Sequence, residues 1–324
     1  MIRAVSQLKR SGMWRYVVVL LITMNVVGLV SPAGGQETTP PGRIAFVRKG
    51  DIWVWQNGES YKAIDDGAAS DPRWSPSGRF MLFVRAGDSY SDLILYDFNS
   101  GAETQLTYYQ SDAQPGSPDY TATSSWALDP DWSPSGLIAF ASDNTMDNSM
   151  ILWITPDPEL SPEPAVLAEA EGDIEGVSLS ADGTVAAYTV RYLDESGGNR
   201  TYVALRDLAD GTPYVLADDP GGAFDPAIAP DGLSVAMAIR GDDGVSDIWL
   251  VDRASGNRTR VTTGAEATQP AWSPDGQWLA FMRMIDYRFE LWAAPLNGTG
   301  FGEPQRLFRF QNLDATSRIS WTLS

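Results

Sequence analysis

Residues 132–141 read WSPSGLIAFA without a break, and the same ten-residue pattern recurs in two pieces at opposite ends of the chain: WTLS at 321–324 and GRIAFV at 42–47. A repeat unit divided in this way requires the two ends to meet, which favours a closed, circular repeat architecture over an open one. Two further full copies stand at 71–84 (DPRWSPSGRFMLFV) and 269–282 (QPAWSPDGQWLAFM), and two degenerate ones at 176–189 (GVSLSADGTVAAYT) and 225–238 (DPAIAPDGLSVAMA). Their turn glycines are Gly78, Gly136, Gly183, Gly232 and Gly276. The spacing of roughly 50 residues is that of propeller repeats.

Each copy has the same order of parts. A short apolar strand runs into Pro-Ser-Gly or Pro-Asp-Gly, where Pro fixes φ and Gly supplies a positive φ for a tight turn. The strand that follows is apolar at nearly every position, as in LIAFA (137–141) or WLAFM (278–282), so both of its faces are buried. Third strands begin with DIWVW (51–55), DLILYD (92–97), MILWIT (150–155), TYVALRD (201–207), DIWLVD (247–252) and ELWAAPL (290–296). A more polar fourth strand follows turns such as NSGAETQLT (99–107) and suits an outer edge. No segment carries a convincing 3.6-residue apolar period. The expected fold is all-β: a six-bladed β-propeller of four-stranded blades over residues 42–324. In it SRISW (317–321) is the innermost strand of the first blade, so the carboxyl-terminal strand closes the ring without a covalent bond.

Composition narrows the chemistry. The 324 residues include no Cys and no His. That removes thiolate nucleophiles, Cys-based metal sites, the usual neutral-pH general base and any Ser-His-Asp triad. With 23 Lys plus Arg against 42 Asp plus Glu, the net charge of −19 repels a phosphate backbone, so nucleic acid is not an expected partner. Residues 1–33 combine the basic Arg3, Lys9, Arg10 and Arg15 with an apolar run, YVVVLLITMNVVGLV (16–30), and small residues at Ser31 and Ala33. This is the pattern of a secretory signal; an uncleaved anchor is the alternative, and the one route to a membrane. Residues 34–41 read as a linker. An extracytoplasmic monomer is expected.

The repeated W-S-P-[SD]-G-x-x-[IL]-A-F followed by D-I-W-L-V-D resembles the TolB-type propeller repeat over residues 42–324, a WD-like repeat without the Gly-His signature of the eukaryotic one. TolB proper carries an α/β domain ahead of its propeller, whereas here a short linker is expected to lead directly into the first strand. The resemblance implies a docking platform of the bacterial envelope. The same blades precede the catalytic domain of prolyl-oligopeptidase-type peptidases, but this chain ends on a propeller strand. Fold by itself does not specify function.

Two groups of residues are candidates for a site. Asp71, Arg73, Asp129, Asp131, Asp225, Gln269 and Arg318 precede the inner-strand repeats and are expected around one mouth of the central channel. There Asp71, Asp129 and Asp225 are weak candidates for Ca²⁺, which takes six to eight oxygen ligands; capping of turns is the competing role, and no cofactor is otherwise expected. The insertion YYQSDAQPGSPDYTATSSWAL (108–128) supplies Tyr108, Tyr109, Tyr120 and Trp126, residue types enriched at binding hot spots. Its alternative role is a packed cover over the blade edge. Trp74, Trp132, Trp272 and Trp321 are expected to fill the core between blades, and Asp231 and Asp275 to form turns. The reading that follows is a non-catalytic exported scaffold that binds a protein or an envelope component. The alternative is a polysaccharide-acting glycosidase or lyase using paired carboxylates such as Asp129 and Asp131.

Overall fold

In the computed structural model, residues 39–144, 150–154, 165–169, 172–209, 213–298, 300–308 and 313–324 are described. The leader and most of the linker lie outside them. β1 (Arg43–Arg48), β2 (Asp51–Gln56) and β3 (Glu59–Ile64) are joined by Lys49-Gly50 and Asn57-Gly58, whose four residues all have positive φ, as type I′ hairpin turns require. Next come β4 (Ala69–Trp74), β5 (Phe80–Ala86), β6 (Ser91–Asp97) and β7 (Ala102–Gln105). A short helix α1 (Pro118–Thr123) leads to β8 (Ala127–Trp132), β9 (Ile138–Ser142), β10 (Met150–Ile154) and β11 (Ala165–Glu169). The following sheets comprise β12 (Asp173–Leu179), β13 (Val185–Leu193), β14 (Asn199–Asp207) and β15 (Tyr214–Ala217), then β16 (Ala223–Ile228), β17 (Ser234–Arg240), β18 (Ser246–Asp252) and β19 (Arg258–Arg260). The last are β20 (Ala267–Trp272), β21 (Trp278–Ile285), β22 (Arg288–Asn297), β23 (Gly300–Phe301), β24 (Gln305–Phe308) and β25 (Ser320–Thr322).

Each sheet is an antiparallel meander, the propeller blade expected from the repeat. The expectation of six four-stranded blades needs a correction: five sheets have four strands, and the sheet begun by β20 has five. The reason is the length of β22. Its partner β21 begins with Trp278 opposite Pro295, so Leu296 and Asn297 run on past it to form a separate hairpin with Phe301 and Gly300, while β24 takes the outer position against residues 291–293.

The W-S-P-[SD]-G element explains itself once its hydrogen bonds are traced. The N–H groups of Gly78, Gly136, Gly183, Gly232 and Gly276 donate to the carbonyls of Ser75, Ser133, Ser180, Ala229 and Ser273, closing five turns of one kind. The serine hydroxyl at the first turn position accepts the N–H that opens the next strand, at Phe80 and Trp278 (2.9 Å each) and at Val185 (2.9 Å). Asp231 and Asp275 accept N–H groups two residues on, from Leu233 and Gln277, as turn-forming aspartates do.

The divided repeat is joined as its sequence requires. β25 pairs antiparallel with β1, placing Thr322 opposite Arg43, Trp321 opposite Ile44 and Ser320 opposite Ala45. Trp321 Nε1 donates to Pro41 O (2.8 Å), and Arg43 Nε donates to Ser324 O (2.6 Å) while its guanidinium stacks 4.2 Å over the Trp74 ring. Ile319 and Trp321 share a buried cluster with Ile44, Phe46 and Trp55 of the first strands and with Trp278, Met282 and Leu291 of the last sheet. Burying each of those two side chains contributes about 1.5–3 kcal/mol. Among the described residues no helix is long and apolar enough to cross a membrane.

Candidate functional site at the central channel

The inner strands β4, β8, β12, β16 and β20 each slip register at one place, between Ser70/Arg73, Leu128/Asp131, Glu175/Ser178, Phe224/Ala227 and Thr268/Ala271. The residue at each slip, Asp71, Asp129, Gly176, Asp225 or Gln269, has φ between 48° and 60°. Asp and Gly tolerate this left-handed conformation better than most residues. Pro72, Pro130, Pro226 and Pro270 follow, at a bulge where no ladder N–H is needed. The same local rule, repeated around the ring, turns these side chains toward the channel.

What the aspartates do there is mainly structural. Asp71 Oδ1 accepts the Arg318 N–H (2.9 Å), Asp129 Oδ2 accepts the Gly176 N–H (3.0 Å), and Asp225 Oδ2 accepts the Gln269 N–H (3.2 Å) and the Thr268 hydroxyl. Each bond runs from one blade to its neighbour. Two residues further along, Asp131, Ser178 and Ser320 repeat the arrangement one layer down, accepting N–H groups of Leu179 (2.7 Å), Ile228 (3.0 Å) and Trp74 (2.9 Å). The ring is therefore stitched at two levels by short side chains on backbone amides.

Two buried arginines close the channel between those levels. Arg318, 5% exposed, reaches from the carboxyl-terminal segment to Pro226 O (2.9 Å) and Val177 O, in the sheets headed by β16 and β12. Arg73 donates to Pro130 O (2.9 Å) and Ile319 O (2.8 Å) and pairs with Asp131 at 3.2 Å. The seven channel residues consequently do not surround one mouth, as expected from the sequence. Asp71, Asp129, Asp225 and Gln269 line a cavity of about 710 Å³, whereas Arg73, Asp131 and Arg318 line a second one of about 390 Å³. The layers are two residues apart on an extended strand, which separates them along the channel axis.

The larger cavity is acidic on its floor and basic around part of its wall. Burial, reinforced by the Asp129 charge, pushes the Asp71 carboxyl up to about 7. Burial likewise raises Asp225 and Glu175, and lowers Arg73 to about 10, with repulsion from Arg318 second. Glu175 is paired with Arg191 at 2.7 Å. Arg200 donates to Pro220 O (3.2 Å) and Arg240 lies 5.3 Å from the Phe224 ring. Neither has a carboxylate within salt-bridge distance among the described residues. An adjoining cavity of about 500 Å³ shares Phe224, Arg240, Thr268, Ala315 and Thr316 and adds Met284 and Phe289. Between those two lies the Asp286-Tyr287 turn, where Tyr287 is 97% exposed at φ 61°. Arg191, Arg200, Arg240 and Tyr287 were not singled out in the sequence, where they read as ordinary strand ends and a hairpin tip.

Among the described residues no three Asp or Glu side chains are grouped so as to hold a metal ion. The second cavity is lined by Trp74, Trp132, Trp272 and Trp321 with Leu179 and Ile228 at the equivalent positions. Trp74 and Trp321 are buried, while Trp132 and Trp272 are partly so. In the insertion, Tyr120 is 4% exposed and its hydroxyl accepts from Gln110 Nε2, and Tyr109 is held by its N–H to Asp92 Oδ1 (2.8 Å) and packs with Leu82, Leu93 and Phe140. Trp126 is half-buried, and Tyr108, at 77%, is the exposed one of the four. The insertion thus packs over the junction between the sheets of β4 and β8, and Leu128 at its end lines the larger cavity.

No family model matches the chain. An uncharacterised protein of Agrobacterium fabrum is 28% identical over 172 residues, covering 52% of this chain and 55% of that one, so the match spans about half the length of that relative. Among solved structures, TolB from Acinetobacter baumannii superposes with a TM-score of 0.66 at 17% identity over 86% of this chain and 66% of its own. A protein from Agrobacterium tumefaciens solved as a TolB gives 0.64 at 17% over 86% and 93%. An oligogalacturonate lyase from Vibrio parahaemolyticus gives 0.50 at 14% over 80% and 72%. At these identities the likeness establishes the fold: this is an all-β, TolB-like propeller of four-stranded blades.

Proposed function

We propose that the protein is an exported, non-catalytic scaffold that binds a protein or another envelope component on the face where the 710 Å³ cavity opens. The observation that carries this reading is the shape of the channel: Arg318 and Arg73 bar it from within, so the face presents a closed-bottomed cup rather than a pore. Cavities of this size suit a ligand segment. The insertion reaches this cavity through Leu128 and carries the exposed Tyr108, and the exposed Tyr287 sits in the turn between Met284 and Phe289, which line the adjoining cavity. In this reading the five-stranded sheet serves as the sixth blade, and β25 closes the ring.

The leader's basic, apolar and small-residue order supports an extracytoplasmic location, and the net charge of −19 favours a basic partner over nucleic acid. The polysaccharide-acting alternative is less well supported. Its pair, Asp129 and Asp131, opens into different cavities and is engaged with Gly176, Leu179 and Arg73.

Affinity capture from envelope extracts with the full chain tests the reading, comparing the parent with Arg240→Glu and Tyr287→Ala. Partners retained by the parent and lost by both variants support it. Identical capture by all three proteins would show that this face is not the binding surface.

A further inference from the structure

Within the scaffold reading, on which this inference rests, the larger cavity has a definite ligand chemistry. Its floor carries Asp71, Asp129 and Asp225. The amides of neighbouring blades engage one oxygen of Asp129 and one of Asp225, and the second oxygens, Asp129 Oδ1 and Asp225 Oδ1, accept no hydrogen bond from the described residues. Gln269 lines the same cavity, is 7% exposed, donates through Nε2 to Ala315 O, and has an Oε1 without a hydrogen-bond partner among the described residues. Three acceptors without donors therefore belong to residues of one cavity. Arg318 and Arg73 act on these carboxylates through their charge, but their side-chain hydrogen bonds go to backbone carbonyls and, for Arg73, its ion pair to Asp131, so neither donates to the three acceptors. A donor-rich cation completes such a floor; an anion or an apolar group does not.

The wall has the opposite deficit. Arg191 is occupied by Glu175, but Arg200 and Arg240 have no carboxylate at salt-bridge distance among the described residues. Arg240 also borders the adjoining cavity, where Phe224, Met284 and Phe289 stand beside Ser246, Thr268 and Glu266, the last not within salt-bridge distance of Arg240. Acceptors at the bottom, guanidinium groups on the side and a mixed apolar and polar extension beyond them describe an extended ligand with charges of both signs.

We propose that the cavity receives a peptide segment of the partner, with a lysine or arginine side chain on Asp129, Asp225 and Gln269 and a neighbouring acidic side chain on Arg200 and Arg240. Charge complementarity selects this occupant. The same floor offers an arginine fork or a lysine ammonium several acceptors.

The test is titration calorimetry of the full chain at low ionic strength with acetyl-Gly-Lys-Glu-Gly-amide, its norleucine-for-lysine analogue and its glutamine-for-glutamate analogue. The parent is expected to bind the first peptide about tenfold more tightly than either analogue, the difference that one charge-assisted contact makes. In Asp129→Asn/Asp225→Asn, where each amide oxygen still accepts the neighbouring N–H, the lysine preference should disappear. Arg240→Gln, at an exposed position, should abolish the glutamate preference and keep the lysine one, which separates binding from misfolding. Equal affinity for the norleucine analogue, or no binding of any peptide, overturns the inference. If envelope capture depends on Arg240 and Tyr287 yet the double aspartate variant keeps its lysine preference, the ligand chemistry is wrong and the face reading stands. If capture depends on neither, both fail.

Discussion

Replacing Arg318 by Met keeps an unbranched, buried stem and removes the guanidinium that crosses the channel. In the parent this side chain, 5% exposed, donates to Pro226 O at 2.9 Å and to Val177 O, tying the carboxyl-terminal segment to two sheets far around the ring. Its own N–H to Asp71 Oδ1 is a backbone bond and survives the substitution. A hydrogen bond from a charged donor contributes about 1.5–3 kcal/mol, and two buried carbonyls lose theirs at once. Water entering from either cavity recovers part of this, so the expected loss is about 3 kcal/mol, a large share of the ~5–15 kcal/mol that holds a domain folded. Urea denaturation followed by tryptophan fluorescence measures it as a lower midpoint at unchanged slope. Arg318→Lys, with one ammonium for two carbonyls, should fall between Met and the parent. A Met variant within about 0.5 kcal/mol of the parent, the range of an ordinary surface change, would refute the cross-channel tie.

Two further outcomes follow from buried carboxylates. Asp71 titrates near 7 in the folded protein against an ordinary value of 3.8, because burial and the Asp129 charge disfavour its ionised form. The folded state therefore binds more protons than the unfolded state between those values. Stability from this group is greatest below 3.8 and falls as pH rises toward 7. Asp71→Asn, whose side chain still accepts the Arg318 N–H and tolerates the left-handed φ, should melt higher than the parent at pH 8 and by a clearly smaller margin at pH 5, since the difference grows only as pH rises from 3.8 toward 7; an equal difference at both pH values would contradict the assignment. Asp247, 2% exposed, accepts the Thr262 hydroxyl (2.7 Å) and the N–H groups of Gly264 (2.9 Å) and Ala265 (3.1 Å), and pairs with Arg260. Asp247→Ala leaves those donors unanswered and should cost about 2 kcal/mol by the same urea measurement, whereas a neutral result would show that solvent replaces the carboxylate.

How much was legible in the sequence depended on whether a residue's reason is local. The W-S-P-[SD]-G turn is local: Pro, Gly and Ser act within six residues, so its copies could be found and the fold read from them. The divided repeat was equally readable, since Trp321 and Ile44 occupy the places of Trp132 and Ile138 in the intact copy, and the structure pairs them. The last sheet was not, because the length of β22 depends on which residues β21 and β24 leave unpartnered. At the channel, spacing showed that Asp71, Asp129 and Asp225 converge, but not that each would first satisfy a neighbouring blade's amide. Arg200 and Arg240 belong to different sheets, and nothing in their own surroundings marks them as neighbours. In the insertion, residue type suggested contact for Tyr120, while the packing that buries it comes from outside the segment.

The ring closure on which the channel, its two cavities and the proposed face all depend can be measured directly, because the chain has no native cysteine. Ala45 and Ser320 face each other in the antiparallel pair of β1 and β25, a separation of about 4.5–5.5 Å between Cα atoms that a disulfide can span. In Ala45→Cys/Ser320→Cys the account predicts spontaneous, near-complete oxidation in the native protein and a higher denaturation midpoint that reduction reverses. Two free thiols persisting in the folded double variant under oxidising conditions would contradict it.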